Sequence, residues 1–552
     1  MSVRPAIFPI GLKLSRGVII ALTGFLALIC LLPYLAVFIG ALAGSMDTLN
    51  GLAETVLWRY TRDTMILVVI VMLGTAFIGV GAAWLVTMTS FRGRGWLEIA
   101  LALPLAFPAY VLAYAYTHIL DHPGIVQTSL RALMGWGPRD YWFPEVRSLG
   151  GAAVMLTLVL YPYVYLLARA AFASQSGAAF IAARVLGRGP LRAGLAVSLP
   201  MARPAIAAGV LLVAMETIAD YGTVAYFGVQ TYSVGIYISW FSMADRAAAA
   251  QLSLGLLAFA LLLAFLERTS RGNASYIDAQ RKPPMERIAL SPRGEIVAWS
   301  LCAFPVFCGV IFPTLALITM ALGSEQNLLS DRYLGFIRNS LTLASIAALV
   351  TVGAALLIGS FHRVATSRLS STAISLGRIG YAVPGGVIAV GLMVPFALFD
   401  NALDAWMRAT FDISTGLLFT GSIWLLVAAY MIRFMAAAIG AYEGGIAGVG
   451  PNIDAAARTL GAGLPRLIGR VHVPILKTSL LTAGLIVFVD VMKELPATLI
   501  MRPFNFDTLA VQAHRLASDE RLDGAAVPSL VIAAIGLIPV ILLCRRISRG
   551  VA

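Results

Sequence analysis

Apolar residues run along this chain in twelve blocks, near 17–43, 64–90, 97–120, 149–173, 203–227, 249–267, 296–322, 339–361, 374–399, 415–439, 476–500 and 525–544. Each block can cross a ~30 Å hydrocarbon layer as a helix rising ~1.5 Å per residue. The blocks are continuous and longer than the ~10 residues of an outer-membrane strand, so they predict helices and exclude a β-barrel. The first block exceeds the apolar stretch of a secretory signal and reads as an uncleaved span.

Basic residues collect in every second polar gap. Arg92 and Arg94 follow the second block, Arg184, Arg188, Arg192 and Arg203 the fourth, and Arg268, Arg271, Arg281, Lys282, Arg287 and Arg293 the sixth. Arg363, Arg368 and Arg378 follow the eighth, Arg458, Arg466 and Arg470 the tenth, and Arg545, Arg546 and Arg549 the last. The other gaps are neutral or acidic, as with Asp47, Glu54 and Asp63, or Asp400, Asp404 and Asp412. The positive-inside rule assigns the basic gaps and both termini to the cytoplasm. Six blocks return the chain to its starting side, which predicts two parallel six-helix repeats related by an axis along the membrane normal. The expected organisation is a first repeat over 1–267, a polar cytoplasmic linker over 268–294 carrying Pro283 and Pro284, and a second repeat over 295–552.

The segment ARVLGRGPLRAGLAVSLP at 183–200 returns as ARTLGAGLPRLIGRVHVP at 457–474. Ala183, Arg184, Leu186, Gly187, Gly189, Arg192, Val197 and Pro200 recur as Ala457, Arg458, Leu460, Gly461, Gly463, Arg466, Val471 and Pro474. Each copy reads as a short helix, a glycine turn and a second helix, with the proline opening the next span. A solvated basic loop would explain the arginines but not the fixed spacing from glycine to proline. The segments near 178–192 and 452–466 therefore read as twin docking surfaces, carried by Ala183, Arg184, Gly187, Arg188 and Arg192, and by Asp454, Ala457, Arg458, Gly461 and Arg466. About ten more residues separate Arg433 from Gly461 than Arg169 from Gly187, which predicts unequal levers.

Composition agrees with membrane residence: 59% of residues are hydrophobic and only 12% charged. The net charge of +13 lies in the loops, where it serves topology at the lipid bilayer rather than nucleic-acid binding. Cys30, Cys302, Cys308 and Cys544 lie in or beside apolar blocks without Cys-x-x-Cys spacing, as packing residues do. No Gly-x-x-x-x-Gly-Lys-Ser/Thr phosphate loop occurs, and His118, His122, His362, His472 and His514 form no metal-binding motif. The chain thus has no ATPase motif, no tightly bound metal is expected, and no nucleophile and base constellation marks it as a membrane enzyme.

Carboxylates enter the apolar blocks in pairs. Glu216 with Asp220 and Asp490 with Glu494 stand four residues apart, and the pairs are 274 residues apart, like Gly187 and Gly461. Charges at such depth face a cavity or a partner. In a parallel repeat the two helices would bring four acids to one central pathway, with Tyr114, Tyr221 and Tyr226 adding phenol oxygens for a hard cation. The other reading pairs the acids internally, with Lys493 or Arg502 neutralising Glu494. Ala106-Phe107-Pro108-Ala109-Tyr110 is echoed by Ala382-Val383-Pro384-Gly385-Gly386, and prolines at such depth predict kinks. Trp136, Tyr141, Trp142 and Phe143 read as interface anchors.

The repeated segment resembles the hallmark of the fused membrane subunits of binding-protein-dependent ATP-binding-cassette importers: Glu-Ala-Ala, three residues, Gly, nine residues, then Ile-x-Leu-Pro. Here Ile181-Ala182-Ala183 precedes Gly187 and Val197-Ser198-Leu199-Pro200, while Ala455-Ala456-Ala457 precedes Gly461 and Val471-His472-Val473-Pro474. The hallmark glutamate is missing from both copies, although Asp454 stands beside its place. LPLAFPAYVLAYAY, ADYGTVAYFGVQTYSVGIY and MKELPATLIMRPFNFDTLA resemble the ferric-iron branch, whose fused layout the thiamine permeases share. The resemblance implies a type I permease in a bacterial inner membrane and a ferric-iron path through Glu216, Asp220, Asp490, Glu494, Tyr114 and Tyr221. It also implies two coupling helices docking two copies of a separate ATPase, which holds the ATP and magnesium, and a periplasmic binding protein. A twelve-span secondary transporter would not need the repeated segment.

Overall fold

The computed structural model describes residues 16–175, 177–271, 287–327 and 330–551, and they are overwhelmingly helical. Among them eleven helices are long and apolar enough to cross a membrane, or twelve if the pair Arg94–Ala106 and Ala109–Met134, bent by 92°, is counted as one broken span. Counted so, the twelve crossings match the twelve apolar blocks. The protein is an all-α, multi-pass membrane protein.

A constant offset of 274 relates the two halves from the fourth crossing onward. Leu149–Ala173 corresponds to Ile423–Ile446, Gly177–Val185 to Pro451–Thr459, Pro190–Ala193 to Leu464–Leu467, and Leu199–Ala219 to Val473–Met492. Even a π-helical turn recurs, at Gly194–Ser198 and Ile468–His472. This register removes the expected ten-residue insertion. Arg433 corresponds to Val159, and Arg169, which pairs with Glu98, corresponds to Glu443. The two arginines lie at different depths, so their distances from the glycines are not comparable.

Each half wraps its first crossing onto the other. Arg16–Ala43 packs against Gly385–Phe411 and Arg368–Ile379 as well as Arg246–Arg271 of its own half. Phe312–Leu322 packs likewise against Ala109–Leu120 and Leu522–Val551. The predicted linker is shorter than expected at both ends, because a helix continues to Arg271 and the next begins at Pro292. Just before that helix, Ile288–Ala289 pairs in parallel with Thr89–Ser90. Residues 272–286, and the terminal residues 1–15, lie outside the described residues.

The paired prolines break their helices rather than kinking them. Proline forces the preceding residue out of the helical region, and Phe107 (φ −95°, ψ 131°) and Val383 (φ −88°, ψ 125°) are both extended. New helices start at Ala109 and Gly385.

Candidate functional site

The fifth and eleventh crossings also break, at their carboxylates. Leu199–Ala219 stops one residue before Asp220, and Val473–Met492 stops two before Glu494. The expected four-residue helical spacing is therefore not helical at its outer end. Asp220 accepts hydrogen bonds from the backbone N–H of Thr223 (3.0 Å) and Val224 (3.1 Å) and from the Thr223 hydroxyl (3.1 Å). Glu494 does the same for Ala497 N–H (3.0 Å), Thr498 N–H (3.2 Å) and the Thr498 hydroxyl (3.0 Å). Both acids cap the first turn of the short helix that follows, a stable place for negative charge.

Glu216 and Asp490, one turn deeper, are free of that duty. The Glu216 carboxylate lies 3.9 Å from the Arg433 guanidinium, and Asp490 lies 3.0 Å from the Lys493 ammonium. The predicted partners of Glu494 are engaged elsewhere: Lys493 with Asp490, and Arg502 with Asp507. Glu216, Asp220, Asp490, Glu494, Arg433 and Lys493 all line one cavity of about 100 Å³, together with Tyr110, Tyr163, Tyr221, Pro108 and Pro496. Among the described residues no three His, Cys, Asp or Glu side chains are grouped closely enough to hold a metal ion.

This cavity sits on the seam between the halves. Lys493 donates to the Leu105 carbonyl (3.3 Å), Tyr110 donates to the Lys493 carbonyl (3.4 Å), and Tyr237 donates to the Pro496 carbonyl. Tyr221 stacks on Tyr237 with ring centroids 3.7 Å apart. Tyr114, by contrast, does not line the cavity. It is fully buried one turn beyond Tyr110, edge-on to Tyr226 and 3.4 Å from His514. Arg433 enters the sequence reading only as a length marker set against Arg169, and Val159 at its true repeat position carries no charge to mark it as a site residue.

At the far end of the same crossings lie the repeated segments. In each copy the glycine adopts a left-handed conformation, Gly187 at φ 81° and Gly461 at φ 78°. Gly187 N–H bonds the Arg184 carbonyl and Arg188 N–H bonds that of Ala183; Gly461 to Arg458 and Ala462 to Ala457 repeat the pair. This double bond closes a helix only when the residue after its end tolerates positive φ, which glycine does best. The turn presents Leu186 (82% exposed) and Leu460 (87%) at its tip, with Arg184, Gly187, Arg188, Arg192, Arg458, Gly461 and Arg466 exposed around them. Ile181 and Ala455, where the hallmark glutamate would stand, are exposed too.

Not every expected docking residue faces outward. Ala183 is buried with Phe180 and Ala193 beneath its helix, and Ala457 is half-buried. Asp454 also points inward, pairing with Arg363 and accepting from His472 Nε2 at 3.1 Å. His472 in turn reaches Ser360 through Nδ1 (2.9 Å). Burial pushes the Asp454 carboxyl up, but the bonds from Arg363 and His472 prevail and hold it below the usual carboxylate range.

No family model matches the chain. It is similar over nearly its whole length to an Fe(3+)-transport system permease protein of Haemophilus influenzae, at 24% identity covering 93% of this chain and 95% of that protein. A probable ABC transporter permease protein of Sinorhizobium fredii matches at 24% identity over 94% of each chain. A probable molybdenum ABC transporter permease protein of Haloferax volcanii matches at 30% identity over 41% of this chain and 80% of its own length. That last match is to a shorter protein, as a duplicated chain requires. The likeness at both lengths, on a duplicated all-helical membrane fold, shows that the chain belongs to the ABC transporter permease family.

Proposed function

We propose that this chain is the complete membrane pathway of an ATP-driven importer that carries ferric iron inward from a periplasmic binding protein. The repeated segments lie in the cytoplasm, where Gly177–Val185 and Pro451–Thr459 act as coupling helices on two copies of a separate ATPase. ATP binding closes the ATPase dimer, the coupling helices follow it, and the two halves rock about the seam to open the cavity outward. Hydrolysis returns the cavity to the inward-open state.

The observation that carries the reading is the meeting of Glu216 and Asp490, from equivalent positions of the two halves, on one seam cavity. Carboxylate oxygens suit a hard cation, and a scattered rather than cage-like set suits transit, because a tight site would obstruct release. Full-length likeness to permeases named for ferric transport supports iron as the cargo. Uptake of ⁵⁵Fe(III) by proteoliposomes holding this chain, its ATPase and the binding protein tests the proposal. Uptake that requires ATP and is not competed by molybdate or thiamine is expected; transport of either competitor in place of iron overturns the cargo assignment.

A further inference from the structure

We propose that Arg433, with Lys493 on the same cavity, forms an oxyanion subsite in the seam cavity, so that the metal ion crosses together with an oxygen-donor anion such as phosphate. This rests on the ferric reading above and names the form in which the cargo travels.

Arg433 is held in a membrane-spanning helix with only 9% of its side chain exposed, and it lines the cavity. A buried guanidinium carries five donors, and leaving them idle is costly unless a partner arrives. Its nearest carboxylate oxygen, on Glu216, stands 3.9 Å away, beyond hydrogen-bond reach. Nη1 has no hydrogen-bond partner among the described residues. Were Arg433 present only to neutralise Glu216, a closed bidentate pair would be the expected geometry.

Backbone packs closely against that edge. A Cβ on Gly385 would stand 3.0 Å from Arg433 Nη1 and 2.5 Å from Glu494 Oε1, so glycine leaves room where any other residue would intrude. The cations are also one-sided. Val159 and Ala219 occupy the first-half positions that match Arg433 and Lys493, and both line the same cavity. The acids repeat in both halves whereas the cations do not, which gives the cavity an acidic lining with one basic wall. A metal carrying an oxyanion would offer oxygens to the guanidinium fork and its exposed metal face to Glu216 and Asp490.

The test uses the full chain in phosphatidylcholine nanodiscs, dialysed against ³²P-phosphate, as wild type, Arg433→Gln and Arg433→Lys. The wild type should retain phosphate, Arg433→Gln should lose affinity by roughly tenfold or more, and Arg433→Lys, which keeps charge but not the fork, should fall between. Thermal melting of each variant separates loss of the subsite from loss of the fold. Equal phosphate retention by wild type and a folded Arg433→Gln overturns the subsite, whatever the cargo. In the complete proteoliposomes, ⁵⁵Fe should enter with ³²P; iron entering alone also overturns the proposal. Phosphate entering without iron would leave the subsite standing and remove the ferric reading.

Discussion

Phe180 and Asp454 occupy the same position of the two repeated segments, 274 residues apart, and anchor their helices by opposite chemistry. Phe180 is a buried apolar plug against Ala183, Ala193, Val197 and Ile288. Asp454 is the hub of a polar network with Arg363, His472 and Ser360. In the first half Ser198 stands where His472 would be. The levers are therefore unequal in attachment rather than in length. Phe180→Ala should cost about 3 kcal/mol, and Asp454→Ala about 2 to 4 kcal/mol by stranding Arg363 and His472. Hydrogen exchange should show each change loosening its own segment; loosening of both segments by either variant would contradict independent anchoring.

The two anchors should also differ in their response to acid. The Asp454 carboxyl is depressed in the folded chain, so its contribution is present above the ordinary carboxylate range and disappears as pH falls through the lowered value. Below about pH 4, exchange in Pro451–Thr459 should rise while Gly177–Val185 stays protected. The Asp454→Asn variant should lack that acid step.

Leu186 and Leu460 are large apolar side chains standing in solvent at the tips of both segments. Replacing both by Asp should leave the melting temperature unchanged within error, because neither contacts the core. Copurification of the ATPase should be lost. Retained copurification would place the docking surface elsewhere.

Much of this could be read from the chain itself. The twelve crossings, the duplication and the glycine turns followed from apolar run length, charge alternation and the φ that only glycine accepts readily. The breaks after Ala219 and Met492 were overlooked because each acid looks like part of a continuing helix, although Gly222 and Pro496 just beyond are helix-breaking signals. Arg433 escaped as a site residue because Val159 at its repeat position carries no charge to flag it, and the inward turn of Asp454 depends on Arg363 and His472, which are distant in sequence.

The caps and the cavity acids should separate on substitution. Asp220→Asn and Glu494→Gln retain oxygen acceptors for the N–H groups they serve, so each should cost only about 1 kcal/mol of stability. Transport should persist in proportion to the folded protein. A complete loss of transport in well-folded Asp220→Asn would mean that the cap also contacts the cargo.

The most direct test is ATP-driven ⁵⁵Fe(III) uptake by the reconstituted importer carrying Glu216→Gln together with Asp490→Asn. Both substitutions keep shape and remove charge, and neither residue caps a helix. Assembly with the ATPase and ATP hydrolysis should survive while iron uptake falls by at least about tenfold, the equivalent of ~1.4 kcal/mol. Uptake at the wild-type rate by that double variant would contradict a cation path through the seam cavity.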